Sequence, residues 1–158
     1  MATKQDEKFM REAIMMASDN VRNGGGPFGA VVVKDGLILG RGVNRVTANC
    51  DPTAHAEVSA IRDAAANAGT HDLEGAIIYT SCEPCPMCLG AIYWAHISHI
   101  FYGNDQHDAA SIDFDDSMIY EEFAKEKSER NIGYTQILHD EARETFELWR
   151  KKDDKTPY

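Results

Sequence analysis

The residues best suited to chemistry in this sequence form two short clusters. The first is His55-Ala56-Glu57 and the second is Cys85-Pro86-Met87-Cys88. One neutral imidazole and two thiolates are a ligand set typical of catalytic zinc, and three protein ligands leave the fourth position of a tetrahedral ion open for water. We therefore predict that His55, Cys85 and Cys88 bind one zinc ion. Glu57 is then the nearby carboxylate that can carry a proton.

The spacing within each cluster tests this hypothesis. Cys85 and Cys88 stand at a predicted helix start, where residues at this spacing share a face and unpaired N–H groups favour thiolates. Both sulfurs can then reach one ion. His55 and Glu57 flank a single residue, which on an ideal helix places the two side chains on nearly opposite faces. The zinc hypothesis therefore requires irregular backbone where this other helix begins.

Other interpretations of these residues stay open at this point. A Cys-x-x-Cys motif can be a redox pair. Cys82 extends the motif to Cys-x-x-Cys-x-x-Cys, and these three cysteines with His55 could form a closed structural zinc site. The three cysteines could instead hold an iron–sulfur cluster if Cys50, which is distant in sequence, supplied the fourth ligand. A single histidine is more often structural than a ligand. Glu57 would be favourable near the positive end of a helix dipole without any catalytic role.

The joint pattern favours the catalytic interpretation. H-x-E followed by P-C-x-x-C is the signature of zinc deaminases, and both parts occur here in that order. The chain resembles the cytidine deaminase-like zinc deaminase superfamily and, within it, the bacterial guanine deaminases. It departs from that pattern at Asp113, an acidic residue where the family has glycine. The resemblance rests on GPFGAV at 26–31, DPTAHAE at 51–57, YTSCEPCPMCLGAIYW at 79–94 and FDDS at 114–117.

The resemblance implies a fold and a reaction. The fold would be an α/β three-layer αβα sandwich with a mixed five-stranded sheet, and the reaction would be hydrolysis of guanine to xanthine and ammonia, with one Zn2+ per active site. Phe28 would stack on the base, Asn44 would hydrogen-bond its edge, and Asp116 would accept from a base N–H. Trp94 would form a pocket wall. Each residue has an ordinary alternative: Phe28 as strand core, Asn44 as a turn residue, Asp116 as a helix cap and Trp94 as core.

Hydrophobic periodicity predicts the elements that must position these residues. Helical spacing indicates helices at 4–22, 54–68, 87–95, 117–127 and 140–152. Apolar or β-branched runs indicate strands at 28–33, 37–43, 76–80, 97–102 and 134–138, and an Asp-Gly turn joins the first two as a hairpin. Alternation of helix and strand from 54 to 103 predicts an α/β layered domain with parallel strands beside that hairpin.

The length and the net charge of the chain limit the number of domains and the kinds of partner that we expect. The 158 residues fit one cytidine deaminase-like domain, residues 1–158. Acidic residues outnumber basic ones by 26 to 16, giving a net charge of −10, and this disfavours a polynucleotide because nucleic-acid affinity relies on Lys and Arg. The polar N-terminus and the lack of a long apolar run predict a cytoplasmic protein without a membrane or nucleic-acid partner.

The C-terminal segment, residues 140–158, carries one further expectation. In the family that the chain resembles, this segment can close over an active site, including that of a partner subunit, and Tyr158 is suited to cover an apolar base. We therefore predict a homodimer with Tyr158 near the pocket. Guanosine, cytosine, an aminotriazine and tRNA adenosine remain alternative substrates, and a structural zinc interaction module is the alternative that is not an enzyme.

Overall fold

The structure is a computed structural model that describes residues 2–157. It comprises two compact units, the first ending at Ser117 and the second beginning at Met118. Both predicted metal clusters belong to the first unit. Tyr158 lies outside the described residues, so its predicted place near the pocket stays a prediction.

The first unit is built on a mixed sheet of four strands in the order β2-β1-β3-β4. β1 is antiparallel to both β2 and β3, whereas β3 and β4 are parallel. The start of β1 therefore lies at the same end of the sheet as the ends of the other three strands, and we call this end the site end. The strands are β1 (Gly29–Lys34), β2 (Leu37–Val43), β3 (Ile77–Cys82) and β4 (His99–Asn104).

Helices cover both faces of this sheet, which confirms the three-layer αβα arrangement. Val31 and Val33 of β1 pack with Phe9 of α1 on one face. Ala30 and Val32 lie on the other face, in a core that also contains residues of α3 and α4. The helices of this unit are α1 (Lys4–Arg22), α2 (Val46–Asn49), α3 (Ala56–Ala68), α4 (Pro86–Trp94) and α5 (Gln106–Ala110).

Two glycines of β2 allow α3 to approach at backbone distance. A Cβ built at Gly42 would lie 2.1 Å from the carbonyl oxygen of Ala56, and one built at Gly40 would lie 2.3 Å from the backbone nitrogen of Ala64. Ala56 and Ala64 are fully buried and add only a methyl group to the contact. This packing fixes the start of α3 against the end of β2.

The second unit differs from the sequence prediction at one element. The expected strand at 134–138 is absent from the described residues, so the sheet has four strands rather than five. A strand requires a hydrogen-bonded neighbour, and residues 118–157 contain no other strand. Tyr134 and Ile137 are 56% and 73% exposed, so neither side chain is buried in a core. The unit contains most of α6 (Ser117–Ala124), a 3-10 helix (Lys127–Glu129) and α7 (His139–Lys151).

None of the described helices is long and apolar enough to cross a membrane.

Candidate active site

His55 immediately precedes α3 and does not belong to it. Its backbone is extended, with φ −69° and ψ 159°, and the helix begins at Ala56. Helical geometry therefore does not govern the direction of its side chain relative to Glu57. The Nδ1 of His55 lies 3.5 Å from the Sγ of Cys88, and the Oε2 of Glu57 lies 3.4 Å from the same sulfur. The irregular backbone that the zinc hypothesis required is present.

Cys85 occupies the equivalent position before α4. Its backbone is also extended, with φ −63° and ψ 167°, and Pro86 takes a first-turn position that needs no N–H partner. Cys88 is fully buried in the first turn of the helix. The starts of α3 and α4 thus meet at one point, and the positive ends of both helix dipoles favour negative charge there.

The three ligand atoms have the separations that one zinc ion requires. With Zn–N near 2.1 Å and Zn–S near 2.3 Å, tetrahedral coordination places nitrogen and sulfur about 3.6 Å apart. The Nδ1 of His55 lies 3.6 Å from the Sγ of Cys85 and 3.5 Å from that of Cys88. All three atoms lie within 4.8 Å of one another. The donor set fits one zinc ion with its fourth position open.

The other two cysteines do not join this group among the described residues. The Sγ of Cys82 contacts the carbonyl oxygen of Asp105 at 3.8 Å, and burial raises the pKa of this thiol to about 11. Among the described residues, the sulfur of Cys82 lies outside the group of three ligand atoms that could share one ion. Cys50 is exposed, with its Sγ 3.9 Å from the carbonyl oxygen of Thr47. The described residues therefore supply no fourth ligand for a closed zinc site or for an iron–sulfur cluster.

The protonation of each ligand depends on its hydrogen bonds with the others. The Cys88 thiol has one proton, which it can donate either to Glu57 or to Cys85, and its hydrogen bond to Cys85, together with one from His55, lowers the pKa of Cys85 to about 4. The same hydrogen bond raises the pKa of Cys88, with burial as the second cause. The hydrogen bond with Cys85 also raises the pKa of His55. Since zinc requires both sulfurs as thiolates, metal binding must release a proton from Cys88.

Glu57 is a buried carboxyl beside this centre. It is 5% exposed, and its pKa is raised mainly by burial. Its Oε1 accepts a hydrogen bond from the Thr80 hydroxyl at 3.2 Å, and its Oε2 accepts one from the Cys88 thiol. A carboxyl whose pKa is raised holds a proton more readily than usual, so it can both accept a proton and return it. This chemistry is what hydrolytic removal of an amine needs.

Thr80 is a site residue that the sequence analysis missed. It lies on β3 at the site end and is fully buried. The signal available in the sequence was a hydroxyl in an otherwise apolar strand, because buried hydroxyls need a hydrogen-bond partner. Nothing in the sequence identified Glu57 as that partner.

Phe28 and Asn44 both lie at the site end. The backbone N–H of Asn44 donates to the carbonyl oxygen of Phe28 at 3.1 Å. The Oδ1 of Asn44 accepts from the Val46 N–H at 3.3 Å, so the turn role is present. Within residues 2–157 its Nδ2 makes no recorded hydrogen bond, which leaves a donor for a ligand. Phe28 packs partly on the core and meets the ring of Phe114 edge-to-face, with centroids 4.9 Å apart.

Asp116 is half-buried near the ligands and does not cap α6. The Oδ1 of Asp115 accepts from the Ser117 N–H at 2.9 Å instead. The pKa of Asp116 is raised by burial and, second, by the negative charge of Cys85. This carboxylate therefore lies close enough to the metal site for the charge of Cys85 to affect its pKa. Its predicted contact with a base N–H stays a prediction.

Trp94 lies at the end of α4 that is farther from the zinc ligands. It is the last residue of α4 and is 68% exposed, whereas Cys85 precedes the first residue of that helix. The two positions are about 13 Å apart along the axis at 1.5 Å per residue. This exposure does not support the core alternative. Its role as a pocket wall stays a prediction.

Comparison with known proteins agrees with this geometry. Residues 3–104 match the family described as the cytidine and deoxycytidylate deaminase zinc-binding region. Guanine deaminase of Bacillus subtilis is 50% identical over 153 residues, which are 96% of this chain and 98% of that protein. The solved structure of guanine deaminase from Bacillus subtilis superposes with a TM-score of 0.93 over the same shares of the two chains.

More distant relatives share the same region. A solved guanine deaminase from Nitrosomonas europaea is 32% identical with a TM-score of 0.68, covering 73% of this chain and 66% of that one. The tRNA-specific adenosine deaminase of Bacillus subtilis is 40% identical over 99 residues, 63% of this chain and 62% of that protein. The matched family region contains His55, Glu57, Cys85 and Cys88 in one converged site. The chain therefore belongs to the cytidine and deoxycytidylate deaminase zinc-binding family.

Proposed function

We propose that this protein is a zinc-dependent guanine deaminase that converts guanine and water to xanthine and ammonia. The observation that carries the proposal is the buried Glu57 carboxyl within 3.4 Å of a sulfur in a three-ligand zinc site. Three ligands with a neighbouring proton carrier suit hydrolysis better than structural metal binding. The identity to Bacillus subtilis guanine deaminase over nearly the full length of both chains favours guanine over other bases.

When bound at His55, Cys85 and Cys88, zinc supplies a Lewis acid that makes water nucleophilic at neutral pH. Glu57 removes a proton from the water that attacks C2 of guanine, and returns it to the adjacent ring nitrogen. A second proton transfer through Glu57 lets the exocyclic amine leave as ammonia. The oxygen of water remains on C2, which gives xanthine. Thr80 holds one oxygen of Glu57 by its hydroxyl, which leaves the other oxygen facing the sulfur ligands.

The substrate is a planar base with several polar edge groups. Phe28 offers an aromatic face for stacking. Asn44 offers its Nδ2 as a donor to an acceptor on the base edge, and Asp116 offers a carboxylate to a base N–H. Each of these side chains lies at or near the site end of the sheet. Together they would orient the base so that C2 faces the zinc.

We further propose that the protein works as a cytoplasmic homodimer without a nucleic-acid partner. α7 has no buried residue, and Phe146 and Trp149, which lie three positions apart on one face of the helix, are 72% and 45% exposed. Exposed apolar side chains on one helix are typical of a surface that another chain covers. The net charge of −10 disfavours tRNA, since phosphate contacts require Lys and Arg. The C-terminal segment would close over a site, with Tyr158 against the base.

An ammonia-release panel tests the substrate directly. The zinc-loaded protein is incubated separately with guanine, guanosine, cytosine, adenine and an aminotriazine, and kcat/KM is measured for each. We expect guanine to give the highest value and xanthine to be its product. A higher value for another base or nucleoside would assign the protein to that substrate. No ammonia from any of them, with zinc fully bound, would favour a structural zinc module.

A further inference from the structure

The segment between β4 and α6, residues 105–116, contains an aromatic residue that the mechanism above does not use. Phe114 is 46% exposed, and its ring lies at 86° to the ring of Phe28 with the centroids 4.9 Å apart. Phe114 therefore keeps part of its ring open to a ligand while it contacts the residue predicted to stack on the base. Phe28 directly precedes β1 at the site end, so both rings lie beside the proposed pocket.

We propose that Phe114 is a second base-binding residue that acts together with Phe28, and that Asp113 positions it through its left-handed backbone. The inference rests on the proposed function, because it assigns these rings to a purine base. Two perpendicular rings form a corner. A planar base stacked on one ring meets the other ring along its rim, which fixes the base in two directions.

The backbone around Asp113 explains how Phe114 reaches Phe28. α5 ends at Ala110, after which the Asp113 N–H donates to the carbonyl oxygen of Ala110 at 3.2 Å. The Phe114 N–H donates to the carbonyl oxygen of Ala109 at 3.1 Å. Asp113 has φ +69°, the left-handed conformation that commonly ends a helix and reverses the chain. The reversal sends Phe114 back toward the start of β1.

The chemistry of position 113 follows from this conformation. Glycine adopts a left-handed backbone without cost, and aspartate and asparagine adopt it more readily than other residues. An acidic residue can therefore replace glycine here while the loop keeps its path. The role of Asp113 is conformational, so asparagine and glycine should replace it and a β-branched residue should not.

The loop is anchored to the metal site at its start. Asp105 caps α5 by accepting from the N–H groups of His107 and Asp108, both at 2.9 Å. The Gln106 N–H donates to the Oε2 of Glu83 at 3.2 Å. Glu83 lies between β3 and Cys85, so the loop that carries Phe114 is tied to the turn that carries a zinc ligand. The pocket corner would be formed before the base arrives, which lowers the entropic cost of binding.

The test compares Phe114→Ala and Phe114→Leu with Leu37→Ala, a truncation of a 69% exposed residue at the opposite end of the sheet. For each variant, KM and kcat with guanine are measured, together with the Kd of hypoxanthine, a purine without the amine to be removed. We expect both Phe114 variants to raise KM and Kd about tenfold, the usual effect of losing one aromatic contact to a base. The values of kcat and the zinc content should change little. Leu37→Ala should match the wild type.

A double-mutant cycle and a set of Asp113 variants complete the test. The double variant Phe28→Ala/Phe114→Ala should raise the Kd of hypoxanthine by less than the product of the two single-variant increases, because the rings act together. Asp113→Asn and Asp113→Gly should keep the wild-type Kd, whereas Asp113→Val should raise it as Phe114→Leu does. An unchanged Kd in both folded Phe114 variants would overturn the role of Phe114. If Asp113→Asn bound hypoxanthine as weakly as Asp113→Val, the conformational role of Asp113 would be overturned.

The outcomes separate this inference from the proposed function. If the wild type releases no ammonia from guanine but the Phe114 variants still weaken hypoxanthine binding, the proposed reaction is wrong and the base-binding role holds. If the wild type deaminates guanine and the Phe114 variants bind hypoxanthine normally, the inference alone is wrong. Phe114→Leu keeps most of the side-chain volume, so its Kd for hypoxanthine tests the role of Phe114 even if Phe114→Ala does not fold.

Discussion

At the scale of single residues, the site depends on how a buried carboxyl is held. Burial of an acidic group is costly unless hydrogen bonds compensate for lost water. Glu57 receives hydrogen bonds from the Thr80 hydroxyl and the Cys88 thiol. Because zinc binding removes the thiol proton of Cys88, Thr80 then becomes the more important of the two. Thr80 is therefore a positioning residue for the proton carrier.

Thr80→Val should lower kcat for guanine without removing zinc. Valine keeps the shape of threonine but leaves one oxygen of Glu57 without its donor. A lost hydrogen bond of about 1.4 kcal/mol corresponds to about a tenfold loss of rate. KM should change much less than kcat. The control is Thr70→Val in the exposed turn after α3, and equal kcat for both variants would contradict the positioning role.

Residue-scale prediction from the sequence succeeded where identity and spacing were enough. His55, Glu57, Cys85 and Cys88 could be grouped from their motif, and the structure brings them together. The extended backbone of His55 could not be predicted, because it depends on where α3 begins. Phe114 could not be paired with Phe28 either, since the contact depends on the reversal of the chain at position 113.

At the scale of elements, helix packing aligns the two metal clusters. α3 lies against β2 at backbone distance because Gly40 and Gly42 present no side chain. Gly42→Ala would place a methyl group 2.1 Å from the Ala56 carbonyl oxygen, directly beside His55. We expect it to lower the free energy of unfolding by about 1–3 kcal/mol, the usual cost of overpacking.

The matched control for Gly42→Ala is Gly90→Ala in α4. A Cβ at Gly90 would meet nothing within 4 Å, and alanine favours a helix over glycine by about 0.5–1 kcal/mol. Urea denaturation of both variants measures the difference. Comparable stability of the two variants would show that α3 and β2 can move apart without cost.

A hydrogen bond ties the first turn of α1 to β3 and should give a pH-dependent stability. The Tyr79 hydroxyl donates to the Oδ1 of Asp6 at 2.6 Å and, as the largest cause, lowers the pKa of that carboxyl to about 2. A carboxyl whose pKa is lowered by folding stabilises the folded state above its unfolded pKa of about 3.9. This contribution disappears as the pH falls through about 2.

Tyr79→Phe should therefore be less stable than the wild type at pH 7, and the gap should narrow as the pH falls from about 4 toward about 2. Phenylalanine keeps the stacked contact with Phe101, whose ring lies 5.0 Å away. Urea midpoints of the zinc-free proteins across this pH range provide the measurement. Tyr93→Phe, at a 74% exposed position, is the control and should not change stability. A gap that stays constant with pH would exclude the ionised Asp6 as its source.

The elements of the first unit were predictable because their faces are buried. Strand and helix patterns there reflect contact with a core on one or both sides, as for β1 and α1. The segment at 134–138 has the same apolar pattern but no strand beside it within residues 118–157. Periodicity records which residues avoid water and not which strand they pair with.

At the scale of the whole molecule, the exposed apolar side chains of α7 favour burial against a second surface. A homodimer supplies one, and it would have a mass of twice 17.6 kDa. Phe146→Lys should shift the protein toward the monomer in light scattering, because an unpaired charge would enter the covered surface. Leu37→Lys, at an apolar residue of β2 that is 69% exposed, should leave the dimer intact. A wild-type monomer at micromolar concentration would contradict the homodimer.

Removal of residues 155–158 tests the proposed closure by the C-terminal segment. If Tyr158 covers the base, the truncated protein should show a raised KM for guanine and an unchanged zinc content. The affinity loss should be about tenfold or more, as for other aromatic contacts to a base. Wild-type KM in the truncated protein would remove the C-terminal segment from the site.

The most direct test of the central claim is kcat for guanine in Glu57→Gln, measured with the zinc content of the same sample. Glutamine keeps the size of the side chain but cannot exchange the proton. We expect one zinc per chain and a loss of kcat of about 10²–10⁴-fold, the range for a lost general acid–base group. Glu74→Gln, at an exposed glutamate, should behave as the wild type. Wild-type kcat in zinc-loaded Glu57→Gln would contradict the assignment of Glu57 as the proton carrier.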